Sequence, residues 1–564
     1  MQWTHRFVRL PSLRCPSFGF AVGVITALAL GPVAHAQVSA LDPALGAGRR
    51  PVIVGPPVDR EAIDSNASLP DSIDPPTYGS FPAGGPSCPT SQFPPPDPDE
   101  DDTVFVADCG SGLDTGCTFR SGGPLVIQIP IDRYIGETNG DGTLAFPATL
   151  HSKNMVSLYA KIRLPAFDVD YSGGNPDCAP ERDRISFNGH DLGFLTGADN
   201  IWKLNEFTVP IWWVKFPSAP GASGSKPAPA MNEIRIDIDT ANSDECWCTA
   251  IDWVSVKIDA QAPIMLVHGV NADSSSWDDV ADFLDGEMII HSNNLAPIDN
   301  PPAGRIISNG AILSGKVPNI AKSVGAKKAH IVCHSKGGLD TRAYLSFFYD
   351  KDACEVLSQH TLSTPHHGSI LATISVARLT YNDPTSDDER ILKYMRQDGL
   401  ASFLGQAPEQ PALGNLSIAY MEGTFNRITS LPGGIRRYSF AADADVDGNL
   451  LISNAEAAGI LPGALNFTLN SGSLLYHLLC CVEDITVTRM TNFFGLNEWH
   501  VIAPVWSGVI HLNDLAVTVQ SAQYPGFSFQ GTYDLNHGTI KSSGPMQAIL
   551  NKIKADYPVK RIPD

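Results

Sequence analysis

Residues 327–341 read "KKAHIVCHSKGGLDT", and no other stretch restricts the fold as much. Four of the five residues in "AHIVC" are apolar, a short continuous run of the kind that fills a strand buried on both faces. His334 and Ser335 follow without a spacer, then Gly337 and Gly338, then the helix-patterned "GGLDTRAYLSFFYD". A strand that enters a helix through a single serine needs small neighbours, because the backbone must double back tightly. The surrounding chain keeps the same rhythm. "PIMLV" and "VLSQHTLS" read as strands, "SSSWDDVADFLD", "AILSGKVPNIAKSVG" and "GPMQAILNKIK" as helices, and "GIRRYSFAA", "GVIHLN" and "FSFQGTYDL" as later strands. Apolar strands alternating with helices predict an α/β domain, a mostly parallel sheet with helices on both faces, over residues 261–564.

Upstream the period falls to two. "LVIQIPI", "SLYAKIRLPAFDVD", "RISFNG", "NEFTVPI", "NEIRIDIDT" and "AIDWVSVKI" alternate, separated by Gly, Pro, Asn and Asp, which predicts an antiparallel β-sandwich over residues 103–260. Residues 37–102 are rich in Pro, Asp, Ser and Gly, end in "FPPPDPDEDD", and read as a disordered linker. Residues 1–36 read as a secretory signal peptide: Arg6, Arg9 and Arg14 without an acid, the apolar run "FGFAVGVITALAL", then "AHA". Cleavage there would begin the mature chain at Gln37 and take the formal charge from −21 to −24. Such an excess argues against nucleic acid and anionic membranes as partners. No second apolar run reaches membrane length, so a secreted chain without a transmembrane segment is expected.

Chemistry at the turn can be deduced in part. A serine hydroxyl is a weak nucleophile near neutral pH and needs a base, an acid to orient that base, and donors for an oxyanion. A nucleophile elbow has the pattern G-x-S-x-G, and here Cys333-His334-Ser335-Lys336-Gly337 puts a cysteine at the first position. The strand end "PIMLVHGV" places the Val270 N–H opposite the elbow, with the Lys336 N–H as second oxyanion donor.

"PIMLVHGV", "HIVCHSKGGLD" and "LSTPHHGS" resemble the secreted bacterial lipase branch of the α/β-hydrolase superfamily, over residues from about 262 to 555 with a divergent middle. The resemblance implies an α/β-hydrolase fold and a Ser-Asp-His triad, with Asp514 in "NDLAVTVQSA" as the acid and His537 in "YDLNHGTI" as the base. His366 and His367 fall in the wrong chain position for the base, Asp534 lies too close to His537, and Glu483 and Asp484 lie in the divergent middle. His268 and His334 flank the site as packing or loop-fixing residues. The first domain in turn resembles galactose-binding-like jelly-roll modules through "DRISFNGHDLGFLTGADNIWKLNEFTVP", implying a carbohydrate or other surface ligand or a plain spacer.

"DADVDGNLLISNAE" spaces Asp445, Asp447, Asn449 and Glu456 as a calcium loop does, with Leu450 where glycine is usual; a solvated acidic turn is the alternative. No organic cofactor motif is present. "GILPGALNFTLNSGSLLYHLLCCV", inside an insert at about 380–505, suggests a lid or cap. Cys109 and Cys117 bracket "CGSGLDTGC" as a disulfide pair, while Cys246 and Cys248 need separate partners, Cys178 among them. These features predict an exported carboxylic-ester hydrolase of lipase type acting on acylglycerols or related lipid esters. The alternatives are an extracellular polyester depolymerase and a non-catalytic carbohydrate-binding surface protein.

Overall fold

The computed structural model describes residues 91–97, 103–108, 115, 117–171, 178–220, 226–242, 246–376, 411–453, 455–456, 475–476, 479–480, 482–491, 498–506 and 510–559. The signal peptide, most of the linker and much of the insert lie outside them. The described residues form two compact units, one built on Pro227–Gln261 and the residues before Ala219, the other on Ala262–Pro558. Among the described residues no helix is long and apolar enough to cross a membrane.

The first unit is antiparallel throughout. Its strands are β1 (Val104–Asp108), β2 (Thr118–Phe119), β3 (Leu125–Ile131), β4 (Tyr159–Phe167), β5 (Arg184–Phe187), β6 (His190–Phe194), β7 (Trp202–Pro210), β8 (Ala230–Asp237), β9 (Cys248–Ile251) and β10 (Trp253–Lys257). One sheet runs β1-β10-β4-β9-β2 with β7 also on β4, and the other β3-β8-β5-β6. Alternation decides which side chains enter the core: Leu125, Ile127, Ile129 and Ile131 of β3 are buried while Val126 is exposed. Pro130 is tolerated because β3 is an edge strand.

The cysteine pairing differs from expectation. Cys117 bonds Cys248 and Cys178 bonds Cys246, so Cys109, outside the described residues, is not the partner of Cys117. The cause is strand pairing: β2 lies on β9 in the register Phe119↔Cys248, which brings Cys117 within a Cα separation of 5.4 Å of a residue 131 positions away.

In the second unit β11 (Ile264–Val267), β12 (Lys328–His334), β13 (Glu355–Leu362), β14 (Arg436–Asp443) and β17 (Ser528–Asp534) form one sheet in that order, with every pairing parallel. Helices Asp278–Gly286, Ile306–Ser323, Lys336–Ala343 and Ser543–Asp556 connect and follow these strands. Polar residues inside the buried strands are satisfied across the sheet: His330 Nδ1 meets Ser358 Oγ at 2.7 Å, and Ser358 Oγ meets His360 Nε2 at 2.9 Å. A separate antiparallel pair, β15 (Val482–Thr491) with β16 (Glu498–Trp506), lies inside the insert and has no counterpart in the sequence reading.

"GVIHLN" is not a strand over its described residues. Residues 510–512 carry no ladder, and only an isolated bridge joins Asn513 to Thr518. The Asp514 carboxylate accepts the N–H groups of Ala516 and Val517, and this local turn competes with extension.

Candidate active site

Ser335 stands between β12 and the helix Lys336–Ala343 with φ 54° and ψ −129°, a conformation a residue with a β-carbon seldom adopts. Its N–H donates to Leu362 O at 2.9 Å, and its carbonyl accepts from Gly338 N at 3.1 Å. The glycines are steric requirements. A β-carbon on Gly337 would lie 2.4 Å from His268 O, one on Gly338 2.1 Å from Thr364 Oγ1, and one on Gly269 2.9 Å from Ser335 Cβ. Cys333 replaces the usual first glycine without strain, its Sγ 3.2 Å from His360 O; burial pushes the thiol up to about 12, so it stays protonated.

The three residues expected to act together are joined by hydrogen bonds. Ser335 Oγ lies 2.9 Å from His537 Nε2, and His537 Nδ1 lies 2.8 Å from Asp514 Oδ2. The other oxygen of Asp514 accepts from Ala516 N at 3.0 Å and Val517 N at 2.7 Å, and the Asp514 carbonyl accepts the His537 N–H at 2.9 Å. The carboxylate is therefore met by two N–H groups and the imidazole, and Asp514 holds the ring of the histidine through its side chain and the histidine N–H through its own carbonyl. Asp514 is fully buried and Ser335 nearly so.

His334 supplies a further link. Its Nε2 lies 2.7 Å from the His537 carbonyl oxygen, which can only accept, so Nε2 carries the proton. Burial, and then His537 itself, holds the His334 pKa well below the ordinary value, so the ring stays neutral beside a group that gains charge during acid–base work.

The N–H groups of Val270 and Lys336 make no backbone bond among the described residues outside helices and strands. Lys336 opens its helix, where the first N–H groups have no intrahelical acceptor. Its side chain turns inward: Nζ lies 2.8 and 2.9 Å from the two Asp340 oxygens, and Asn309 Nδ2 donates to Asp340 Oδ2 at 2.9 Å. Only the main chain of Lys336 is thus offered to the site.

The competing residues are engaged elsewhere. His366 accepts from Arg342 at Nδ1 and meets Thr361 Oγ1 at Nε2, each at 3.3 Å, and His367 pairs with Glu422. β17 ends at Asp534, short of the turn that carries His537. The side chains of Glu483 and Asp484 lie outside the described residues.

The acidic loop curls on itself. Asp445, Asp447 and Glu456 each place one oxygen within 4.8 Å of the others, and Asn449 Oδ1 accepts from Leu451 N at 2.6 Å. Leu450, which stands where glycine was expected, takes the left-handed φ of 62° that this turn demands. The Glu456 carbonyl accepts from Asn536 Nδ2 at 2.8 Å, tying this loop to the residue before His537.

Sequence reading did not find the His334–His537 bond, for which no local pattern exists, nor the Lys336–Asp340 pair, whose i,i+4 spacing on a helix was a usable signal.

No protein-family model matches this sequence. Solved structures that align with it include a Bacillus licheniformis lipase in its mature form, at 23% identity over 52% of this chain and 91% of that one with a TM-score of 0.33. The propeptide form of that lipase aligns at 24% identity over 51% of this chain and 50% of that one, TM-score 0.33. A metagenomic carboxyl esterase aligns at 19% identity over 52% and 75%, TM-score 0.32. These neighbours are lipases and esterases of the α/β-hydrolase type, matched over about half of this chain. At such scores the likeness carries no argument about substrate, which must come from the side chains.

Proposed function

We propose that this chain is an exported serine carboxylic-ester hydrolase of the α/β-hydrolase fold, acting on acylglycerols or related lipid esters, with a β-sandwich as its first unit. The observation that carries the reading is the hydrogen-bonded series Ser335–His537–Asp514 at 2.9 and 2.8 Å, set at a strained strand-to-helix turn. In this mechanism His537 Nε2 takes the Ser335 proton as Oγ attacks the ester carbonyl carbon. The Val270 and Lys336 N–H groups hold the oxyanion, Asp514 keeps the proton on Nδ1 and stabilises the imidazolium, and His537 returns its proton to the departing alkoxide. Water then repeats the cycle on the acyl-enzyme and releases the acid.

The two disulfides fit export, since such bonds persist in oxidising compartments. For the acidic loop the reading is calcium held by Asp445, Asp447, Asn449 and Glu456, a hard cation suited to carboxylate and amide oxygens. Its chemical role would be structural, bracing Asn536 through Glu456.

The test is turnover of a nitrophenyl ester by wild type and Ser335→Ala, with and without a calcium chelator. Loss of at least about 10⁴-fold is expected for the variant, and equal activity would overturn the proposal. Emulsified triacylglycerol against polyester film separates the lipase from the depolymerase reading.

A further inference from the structure

The ester-hydrolase reading, which this inference presupposes, places its two oxyanion donors on separate elements: Val270 follows β11, and Lys336 opens the helix after β12. The β11–β12 ladder ends at Val267↔Cys333, so it does not set the spacing between them. Yet two donors are useful only when both reach one oxygen, at about 2.7–3.1 Å. Contacts beyond the ladder must hold them in register.

A hydrogen-bonded path runs between the two segments. His268 Nδ1 lies 2.9 Å from Gly269 O, which can only accept, so Nδ1 carries the proton and Nε2 accepts the Asn300 N–H at 3.1 Å. The Gly269 carbonyl and the Val270 N–H belong to one planar peptide. A donor held on that oxygen therefore sets the direction of the N–H and polarises it. One residue after Asn300, Pro301 O accepts from Asn309 Nδ2 at 3.0 Å, and the same Nδ2 donates to Asp340 Oδ2 at 2.9 Å. Asp340 then holds Lys336 Nζ with both oxygens, at 2.8 and 2.9 Å, within the helix that Lys336 opens.

Asn309 is the joint of that path. It is 1% exposed and sits on the helix Ile306–Ser323 beside Ile306, Gly310, Leu313 and Val317, a buried stripe where an apolar residue would pack better. Its Nδ2 serves two acceptors, whereas Oδ1 makes no hydrogen bond among the described residues, so the side chain acts as a double donor at a cost in stability. Its place is enforced sterically. A β-carbon on Gly304, whose N–H also donates to Pro301 O at 2.9 Å, would lie 2.4 Å from Asn309 Oδ1. We propose that Asn309 is a positioning residue of the oxyanion hole, joining the Val270 side to the Lys336 side through its Nδ2. Asp340 is the poorer place to test this, because its loss leaves the buried Lys336 ammonium unpaired.

The test compares the full chain with Asn309→Leu, which keeps the bulk and removes the donor. Steady-state kinetics on a soluble nitrophenyl ester gives kcat and KM per active site, with sites counted by nitrophenol release from a nitrophenyl phosphonate. Affinity for butylboronic acid is measured in parallel: Ser335 Oγ adds to boron, its proton passes to His537, and a boron-bound oxygen takes the oxyanion's place. Asn309→Leu should lower kcat about tenfold to a hundredfold and weaken the boronate by a similar factor, with KM changed less than about threefold. The pH dependence of kcat/KM should keep its midpoint, since the His537–Asp514 bond is untouched. A packing role alone would lower the melting temperature or the count of active sites and leave kcat per site and boronate affinity as in wild type. That result overturns the proposal and leaves the ester-hydrolase reading intact, whereas wild-type turnover matched by Ser335→Ala overturns both. If Asn309→Leu does not fold, Gly304→Ala decides: its added carbon displaces the Asn309 amide without removing a polar group, and kcat and boronate affinity should fall together.

Discussion

Asp514 in the second unit and Asp170 in the first are both aspartates with almost no exposed surface, and their surroundings are opposite. Asp514 receives the Ala516 and Val517 N–H groups and the His537 ring, so its charge is met and its direction fixed. Asp170 receives no donor among the described residues. A buried carboxylate can be met by donors that hold it in place, by a proton, or by a cation, and these two units use different solutions. The contrast extends to other ionisable groups. Among the described residues the second unit buries six histidines, His268, His291, His330, His334, His360 and His366, each with its pKa lowered, burial being the first cause. The first unit buries Glu181 and Asp183, each raised, again by burial first.

The largest effect that could break this comparison is at Asp514. In Asp514→Asn the amide cannot accept from Nδ1–H as a carboxylate does, and the imidazolium loses its counter-charge. A fall in kcat of about 10³–10⁴-fold is expected, roughly 4–5.5 kcal/mol at 1.4 kcal/mol per decade, with KM little changed. Steady-state kinetics on a soluble ester measures it. A loss below tenfold would mean that Asp514 is no more committed to a partner than Asp170.

Acid should then separate the units. A histidine whose folded pKa is depressed contributes stability that is whole above its unfolded value of about 6.5 and is lost as pH falls towards the folded value, at up to about 1.4 kcal/mol per pH unit for each such group. A carboxyl whose folded pKa is raised contributes stability that is whole below about pH 4.3 and is lost as pH rises through the folded value. Between pH 7.5 and 5 the second unit should weaken and the first should strengthen. Asp340, Asp443 and Asp445, also raised by burial, oppose the histidines in the second unit but are outnumbered by them. Urea unfolding at the two pH values, in chelator, should show midpoints moving in opposite directions; parallel movement would remove the distinction.

The parallel sheet was legible because β11 is apolar along its length, β12 is mostly so, and the turn after β12 holds glycines that nothing larger can replace, as Gly337 and Gly338 illustrate. The meeting of residues 335, 514 and 537 was readable only through motif order, since hydrogen bonds between positions about 200 apart leave no periodic trace. "GVIHLN" misled because its alternation matches a strand while Asp514 captures the following N–H groups. Cys117 was assigned to the nearer cysteine because the β2–β9 pairing is invisible in local spacing.

His334 offers a smaller effect on the catalytic side. In His334→Leu the His537 carbonyl loses its donor inside the protein, which costs about 1–3 kcal/mol, enough to lower kcat roughly tenfold to a hundredfold if the ring drifts from Ser335. His334→Gln, which keeps a donor of similar reach, should recover most of that loss, and KM should change little in either variant. Equal damage from both substitutions would reduce His334 to packing.

Thr249 tests the other side of the comparison, where a proton rather than a network meets the charge. Its hydroxyl lies against both Glu181 Oε1 and Asp183 Oδ2, but one hydroxyl has one hydrogen to donate. Both contacts are satisfied when one of the two carboxyl groups is protonated and donates to Thr249 Oγ1, while Thr249 donates onward to the other. The raised Glu181 pKa, to about 10, agrees with a proton held there at neutral pH. Thr249→Val keeps the shape and removes the relay, leaving the two carboxyl groups to share one hydrogen bond directly or repel. The first unit should lose about 1 kcal/mol at pH 7, and less at pH 4, where a second proton relieves the pair. Ester turnover should not change. Urea midpoints of wild type and Thr249→Val at the two pH values measure the effect; a loss that does not depend on pH would mean that Thr249 acts by packing and that no shared proton joins Glu181 to Asp183.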